Sequence, residues 1–534
     1  MPPGRQWGQV APTPEAPPGG MAGVPEVKPT AYAWYALVLL AAINVLNYLD
    51  RNVIFALFDP IKRDLGLTDT QLGWLGSAYI LVFSLAALPF GVLSDLRSRR
   101  GVIASGVAIW SAFTFMGGLA RGFGGLFLAR SAVGIGEAAF GPAASSMVAG
   151  YFPGKGRALA MGILSSGIAL GGVLGILLGG KLEAAYGWRV AFMAVALPGF
   201  VLAFLAYRLH EPGQPPAPQS MREVYHEVRA STKPILRYGW PLLLSLLLGF
   251  AAAYTLDRVF MGNTALDTAV FSIVLLIGTA ATFYRWARQA RGVDPDADHF
   301  ADQVHVALRD LVRAGATVLK TPTLKFVFPA GALISFGMNG LVGWAPTFIT
   351  RTLGYTAGEA SVLLGKWGLI FGTLGTLAGG FIADYLARYT DKGRVITCAV
   401  GLLLGGPLAI WLLTLRDPGL FVPVFCAAFF FLTWFNGPIS AVIFDVVPAR
   451  IGATVAGAYL LFIHLVGDAV AFPLVGMLSD RYGLDVAILL LPAVTTLGGF
   501  VILGAGRHVA RDGARALRMN ASGSAAATGV ASTP

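Results

Sequence analysis

Gly91-Val92-Leu93-Ser94-Asp95 closes one long apolar run of the sequence, and Gly380-Phe381-Ile382-Ala383-Asp384 closes another in the second half of the chain. Basic residues follow each: Arg97, Arg99 and Arg100 after the first, Arg388, Lys392 and Arg394 after the second. Gly476-Met477-Leu478-Ser479-Asp480-Arg481 is a third copy, and Gly180-Lys181-Leu182-Glu183 a weaker fourth. Short loops favour Gly, Asp and Arg in any protein, but here the register holds four times. A membrane-spanning helix needs about 20 mostly apolar residues. On that measure six spans precede the middle of the chain: Ala33–Phe58, Leu72–Ser94, Val102–Ala120, Phe123–Gly150, Ala158–Lys181 and Val190–Tyr207. Six follow it: Phe326–Ile349, Ala360–Leu386, Val395–Leu415, Leu420–Phe444, Ile451–Ser479 and Val486–Leu503. The Gly–Asp copies then recur every three spans, alternately on the two sides of the membrane. That is the signature of inverted repeats nested within two parallel halves.

Two further apolar runs, 239–256 and 268–284, lie between the halves, which brings the expected total to fourteen spans. The fold class is therefore an all-α membrane protein of two six-helix bundles plus an inserted hairpin. The expected organisation is an unstructured, proline-rich cytoplasmic tail over 1–30 and an N-terminal bundle over 31–210. A linker over 211–322 carries the hairpin and an amphipathic segment near His299–Leu319. The C-terminal bundle covers 323–506, and a small, polar tail covers 507–534.

Composition agrees. Of 534 residues 56% are hydrophobic and 13% charged, against about 25% charged in an average soluble domain. Soluble enzymes, nucleic-acid binders and disordered chains are excluded on that ground. The net charge of +11 is a topology signal. With the N-terminus in the cytoplasm, only Lys62, Arg63, Arg121, Lys181, Arg189, Arg258, Arg351, Arg416 and Arg481 fall outside, and Arg51, Arg130 and Lys366 fall within spans. The remaining cations all lie inside, as the positive-inside rule requires. The two cysteines, Cys398 and Cys426, have no CxxC spacing or partner His, so no disulfide framework or metal site is expected.

Gly91–Arg100 resembles the loop signature of the major facilitator superfamily, with Leu96 and Ser98 where Arg and Gly are usual. Leu126-x3-Arg130-x2-Val133-Gly134-x-Gly136 resembles that superfamily's fourth-helix motif. Asn47-Tyr48-Leu49-Asp50-Arg51, Gly134-Ile135-Gly136-Glu137-Ala138 and His464-Leu465-Val466-Gly467-Asp468-Ala469 together resemble the Spinster-like family. The first of these also occurs in organic-anion symporters. The hairpin departs from the twelve-span pattern and is similar to the insert of fourteen-span relatives. The resemblance implies a major facilitator fold and transport by alternating access. It puts Asp50, Arg51, Arg130 and Glu137 at the family's proton and substrate network. It also implies a lipid-like amphiphile as substrate, of lysophospholipid or sphingoid phosphate type.

Ionisable groups within spans are expensive and mark function. Asp50 and Arg130 lie at matching depths on antiparallel spans, which permits a bridge. Arg130 and Glu137, seven apart, share a helix face about 10.5 Å apart along the axis. Arg51 is turned about 100° from Asp50. His464 and Asp468 are i, i+4 and can interact, either as a packed hydrogen-bonded pair or as a titrating one. Asp50, Glu137, Arg130, His464 and Asp468 are thus the candidates for proton coupling. Arg51, Arg130, Glu137, Phe140, Asn339, Trp344, Lys366, Trp434 and Asn436 are the candidates for binding an anionic head beside an apolar tail. Lys366 either adds charge to the cavity or snorkels. Gly91, Asp95, Arg99, Arg100, Asp384, Arg388 and Asp445 are the candidate cytoplasmic gate, with Asp445 expected near Arg388. Gly171, Gly175 and Gly179 form a GxxxGxxxG stripe suited to close helix packing.

The expected function is a proton-coupled secondary transporter in the cytoplasmic membrane, with both termini inside and no cofactor beyond the proton gradient. Its expected partners are a small-molecule or lipid substrate and the bilayer; nucleic acid is not among them, and a monomer is expected. A small organic anion or drug-like solute is the rival substrate class. A membrane-embedded enzyme or sensor is the rival function, but no span carries an HExxH pair, a GxSxG elbow or a metal-type carboxylate cluster.

Overall fold

The computed structural model describes residues 30–96, 98–153, 156–212 and 314–527, with isolated positions between 240 and 310; the side chains of Asp95, Leu96 and residues beyond 520 are among those outside the description. The N-terminal half comprises α1 (Ala31–Ala56), α2 (Phe58–Leu65), α3 (Asp69–Leu96), α4 (Arg99–Gly118), α5 (Phe123–Ala138), α6 (Phe140–Tyr151), α7 (Arg157–Tyr186) and α8 (Trp188–Tyr207). The C-terminal half comprises α9 (Pro322–Leu353), α10 (Ala357–Ala387), α11 (Gly393–Thr414), α12 (Pro418–Leu432), α13 (Asn436–Val446) and α14 (Ala449–Phe462). A π-helical turn (Ile463–Asp468) leads into α15 (Ala469–Tyr482), α16 (Leu484–Ala487), α17 (Leu490–Ala505) and α18 (Val509–Ala527).

Among the described residues, 11 helical segments are long and apolar enough to cross a membrane. The expected fourth span is present as α5 and α6, of 16 and 12 residues, joined at Ala139. Pro142 explains the break, because it cannot donate to the carbonyl of Ala138 and its ring crowds that turn. The hairpin runs, the tails before residue 30 and after 527, and most of the amphipathic segment fall outside the described residues. Two contacts join the hairpin's isolated described positions. The Arg285 guanidinium lies 5.3 Å over the Trp240 ring. A Cβ at Gly278 would fall 2.9 Å from the Pro241 carbonyl oxygen.

The tail expected from 507 is instead helical through α18. Its Asp512 carboxylate accepts from the backbone N–H (2.9 Å) and hydroxyl (2.7 Å) of Thr323 at the start of α9. Its Asn520 side chain accepts from the Ala449 N–H at the start of α14. Helix N-termini leave backbone donors without partners, and α18 supplies acceptors to two of them. Composition alone, small and polar, concealed that role.

The two halves repeat each other at the level of the backbone. Gly66 and Gly354 end α2 and α9 in the left-handed region, with φ 64° and 73°. Gly187 and Gly483 make the turns before α8 and α16 with φ 83° and 87°. A side chain with a Cβ is strained there. The GxxxGxxxG stripe of α7 lies directly against α1. A Cβ at Gly171 would stand 2.3 Å from the Val45 carbonyl oxygen, and one at Gly175 2.4 Å from that of Leu49.

Three large apolar clusters show how the halves meet. One draws on both, with Phe55 and Phe58 of the first half against Trp344 and Phe472 of the second. The second, around Leu37, Val107, Phe140 and Met147, belongs to the N-terminal half alone. The third, around Val327, Cys398, Val442 and Val455, belongs to the C-terminal half alone. The described molecule is thus sealed at the end where α1 finishes and α3 begins, and split at the other. Overpacking a filled contact costs about 1–3 kcal/mol. Gly175→Leu should therefore melt well below the wild type in detergent, whereas Gly162→Leu, whose Cβ would meet nothing within 4 Å, should melt close to it. Equal melting of the two variants would mean that the α1–α7 contact is not tight.

Candidate functional site

Asp50 and Arg51 sit in the last two turns of α1 and face different neighbours. The Asp50 carboxylate accepts from the Thr114 hydroxyl of α4 and lies 3.8 Å from the Arg130 guanidinium. Arg130 also donates to the backbone carbonyls of Asp50 (3.2 Å) and Arg51 (3.3 Å). The expected bridge is therefore present, but it is loose, and Arg130 spends its firmer bonds on the end of α1. Arg51 turns to Glu137 at the end of α5, Nε to Oε2 2.7 Å. Its guanidinium is stacked among Tyr48, Tyr79 and Phe83, at 4.5, 5.0 and 4.4 Å from their ring centres. Glu137 is fully buried, and the Arg51 side chain is 16% exposed. On α5 the two pairs are anchored two turns apart, with Glu137 where α5 gives way to α6.

In the C-terminal half, His464 Nδ1 lies 2.6 Å from the Asp468 carboxylate. Asn339 donates to the same carboxylate at 2.9 Å, and the Ser335 hydroxyl donates to it as well. The π-helical turn carries both His464 and Asp468. Such turns are frequent at functional sites.

Between the halves lies a cavity of about 470 Å³. Asn52 and Gly172 line it from the first half, and Leu341, Gly368, Thr376 and Asn436 from the second. Asn436 donates to the Thr376 hydroxyl at 3.1 Å on its wall. Ile168 and Leu377, also on the wall, are 47% and 65% exposed, so the cavity is open beside α7 and α10.

Of the nine expected binding residues Asn436 alone is on this cavity's wall, and three of the others are packed elsewhere. Phe140 is buried against Trp110 in the N-terminal core. Trp344 is buried against Phe58 at the sealed end. Trp434 packs on Phe430 and Phe431, above Gly379 and Gly401. Aromatic rings fill core as readily as they line sites, and sequence spacing could not separate the two uses. Lys366 is exposed, with its ammonium 4.7 Å over the Trp367 ring, the snorkelling arrangement.

At the split end, Asp445 bonds to Arg394 and not to Arg388; Asp384 lies 3.3 Å from Arg394 too. Arg388 is exposed. In the first half, Glu211 accepts from the Ser98 hydroxyl (2.6 Å) and the Arg100 N–H (3.1 Å), while Arg100 Nη1 donates to the Leu209 carbonyl at 3.3 Å. Gly91 has Pro142 as its nearest neighbour, and the side chain of Asp95 lies outside the described residues. Every described side-chain hydrogen bond between the halves is at the sealed end or in the layer next to it. Arg351 of α9 grips Asp69 with both terminal nitrogens, at 2.8 and 2.9 Å, and Asp59 with Nε at 2.7 Å. Lys62 and Ser479 complete the shell of Asp69, both at 2.6 Å. The Asp480 carboxylate accepts from the N–H groups of Asp69 and Thr70, each at 2.8 Å, and from the Thr70 hydroxyl at 2.6 Å. It caps the N-terminus of α3 from the opposite half.

Comparison with known proteins places this architecture. The family model of the Major Facilitator Superfamily matches residues 40–267 and 263–467. The chain belongs to the Major Facilitator Superfamily. It is similar to an MFS-type efflux pump of Mycolicibacterium smegmatis, 26% identical over 88% of this chain and 91% of that one. It is also similar to the sphingosine-1-phosphate transporter SPNS2 of Xenopus tropicalis, 24% identical over 92% of this chain and 85% of that one. A crystal structure of a bacterial homologue of the human lysosomal transporter Spinster, inward-facing and unoccupied, superposes with a TM-score of 0.67 at 22% identity. It covers 90% of this chain and 98% of its own. The protein is a multi-pass membrane transporter of that superfamily, similar to Spinster-like proteins, and not an enzyme.

For this major facilitator the sequence reading missed the Arg51–Glu137 pair, Thr114, Ser335 and the whole Asp59–Asp69–Arg351–Asp480 seam. The seam had a signal, the third Gly–Asp copy ending at Asp480. Breaking a buried ion pair by removing one partner costs about 3–5 kcal/mol. Arg51→Met should therefore lower the melting temperature sharply, and Arg51→Met/Glu137→Met should recover much of the loss. A double variant no better than the single would show that the two groups are not coupled. Asp480→Ala should loosen the sealed end. A cysteine at Leu341 on the cavity wall should then label severalfold faster with an impermeant thiol reagent applied from that side, and an unchanged rate would deny the cap its closing role.

Proposed function

We propose that this transporter carries a lipid-like amphiphile and couples its movement to protons. The open cavity beside α7 and α10 supports the substrate class. Its volume falls in the range of small-molecule sites, roughly 300–1,000 Å³, and its wall is mostly aliphatic with Asn52, Thr376 and Asn436 as polar points. On this reading an acyl or sphingoid chain enters it between α7 and α10. The similarity to a sphingosine-1-phosphate transporter agrees with that reading. Arg51, next to Asn52 on α1, supplies a cation close to the wall for an anionic head.

Proton coupling follows from the Arg51–Glu137 pair. While Arg51 rests on Glu137, the carboxylate is compensated. An anionic head that draws Arg51 away leaves Glu137 buried without its cation, and protonation becomes the cheaper state. Substrate and proton then compete or travel together through one arginine. The His464–Asp468 pair is a second acid–base pair, in the C-terminal half. No cofactor enters this scheme. In this reading the split end and both termini face the cytoplasm, as the charge of the loops favours, and the carrier works as a monomer.

Proteoliposomes test both parts. Uptake of a fluorescent lysophospholipid or sphingoid phosphate should follow an imposed proton gradient, and small organic acids should not compete. Glu137→Gln should abolish gradient-driven uptake but keep substrate exchange across the membrane. Gradient dependence that survives in Glu137→Gln would remove the residue from coupling, and uptake of organic acids in preference to lipids would replace the substrate class.

A further inference from the structure

We propose that the cavity between α18 and the start of α9 binds the headgroup of an anionic phospholipid from the adjoining leaflet. It lies on the flank of the C-terminal half, away from the cavity between the halves. About 520 Å³ in volume, it is lined by Lys320, Arg511, Arg515 and Arg518. The carboxylate among its lining residues, Asp512, is buried and already accepts two hydrogen bonds from Thr323. None of the four cations has an ion-pair partner among the described residues. Pro322 lines the cavity too, so the positive end of the α9 dipole adds to the field. Four unpaired cations around one concave site repel each other, and an anion inside relieves that repulsion.

A second cavity of about 210 Å³ shares Lys320, Asp512 and Arg515 with the first. Its other walls include Val446, Pro448, Ile451 and Met519. Basic space thus runs directly into apolar space, the shape of a phosphate joined to a glycerol backbone and the top of an acyl chain. The surroundings favour a lipid over a free phosphate. Leu319 and Leu517, on the two segments that form the site, are 70% and 69% exposed. A helix with basic residues and outward apolar ones at the mouth of a membrane bundle lies at headgroup level. Because α18 is tied to the first turns of α9 and α14, a lipid held here would brace two helices of the same bundle.

Native mass spectrometry of the purified full chain in detergent measures this directly. Dioleoylphosphatidylglycerol, dioleoylphosphatidylcholine and soluble glycerol 3-phosphate are titrated separately. Phosphatidylglycerol should bind at least about ten-fold more tightly than phosphatidylcholine, and glycerol 3-phosphate should bind far more weakly than either lipid. Arg511→Gln/Arg515→Gln should weaken phosphatidylglycerol binding roughly thirty-fold, the share of two interfacial cations. Arg511→Lys/Arg515→Lys should retain most of it, and so should Arg157→Gln/Arg208→Gln, which removes the same charge from the other half. Undiminished binding in Arg511→Gln/Arg515→Gln overturns the site. Equal loss in the Arg157→Gln/Arg208→Gln control reduces it to general charge attraction and also overturns it. Glycerol 3-phosphate binding as tightly as the lipid would replace the lipid with a free phosphate ester. These outcomes are independent of what the central cavity transports.

Discussion

The two halves are held together through Asp69. Its carboxylate receives Arg351, Lys62 and Ser479, and its own N–H goes to Asp480. Arg351 and Asp480 come from opposite ends of the C-terminal half's sequence, yet both reach the first turn of α3. A lone carboxylate near an apolar layer is costly, whereas one with two cations and a hydroxyl is compensated on all sides. The apolar contacts beneath, Phe55 on Phe472 with ring centres 5.1 Å apart and Phe58 on Trp344 at 5.2 Å, fit because the seam fixes the spacing above them. Glycine makes the approach close enough. A Cβ at Gly73 would stand 2.3 Å from the Phe472 carbonyl oxygen, and one at Gly476 2.3 Å from that of Asp69.

With one end sealed, the other must part, since each half keeps its own apolar cluster there. The charged network of the first half is positioned between the two. Arg130 holds the end of α1 by its carbonyls, and Arg51 holds the end of α5 through Glu137, so α1 and α5 are joined where proline interrupts the α5–α6 span. The corresponding break in the span made of α12 and α13 has the same cause. Pro438 withdraws its hydrogen bond from Trp434, and the chain turns between α12 and α13. In the eleventh span Pro473 frees the carbonyl of Ala469, which the Ser77 hydroxyl of α3 takes at 2.7 Å across the interface. Three prolines thus convert straight helices into segments with spare backbone acceptors or slack near the central layer.

Much of this was legible in the sequence because the bilayer restricts the alternatives. Twenty apolar residues have to be a helix in lipid, so span boundaries were readable to within a few residues. Ionisable groups inside spans had to be partnered, so Asp50, Arg130, Glu137, His464 and Asp468 stood out. Partner choice was less legible. Helical wheel geometry puts Arg51 away from Asp50, but it does not say that Glu137 on another helix is waiting. Thr114 and Ser335 are ordinary residues until a carboxylate lies against them. The seam residues Asp59, Asp69 and Arg351 looked like loop charges, because loops tolerate charge without any partner. Phe140 and Trp344 were assigned to the cavity on residue type, and burial gave them to the core, while Trp434 is half-buried on Phe430 and Phe431.

The repeated Gly–Asp motif gains its meaning from which end is closed. At the sealed end Asp480 caps α3 in the opposite half, using the free N–H groups that every helix start exposes. At the split end the related copies have neighbours within their own halves. Asp384 and Asp445 share Arg394, and the start of α4 is capped by Glu211. A cap across the halves exists only when that end is shut, so it weighs on one state and not on the other, the condition for shifting a two-state equilibrium. Inverted repeats place equivalent loops on both faces of the membrane. One short motif, copied at both ends, caps across the halves where they meet and bonds within each half where they part.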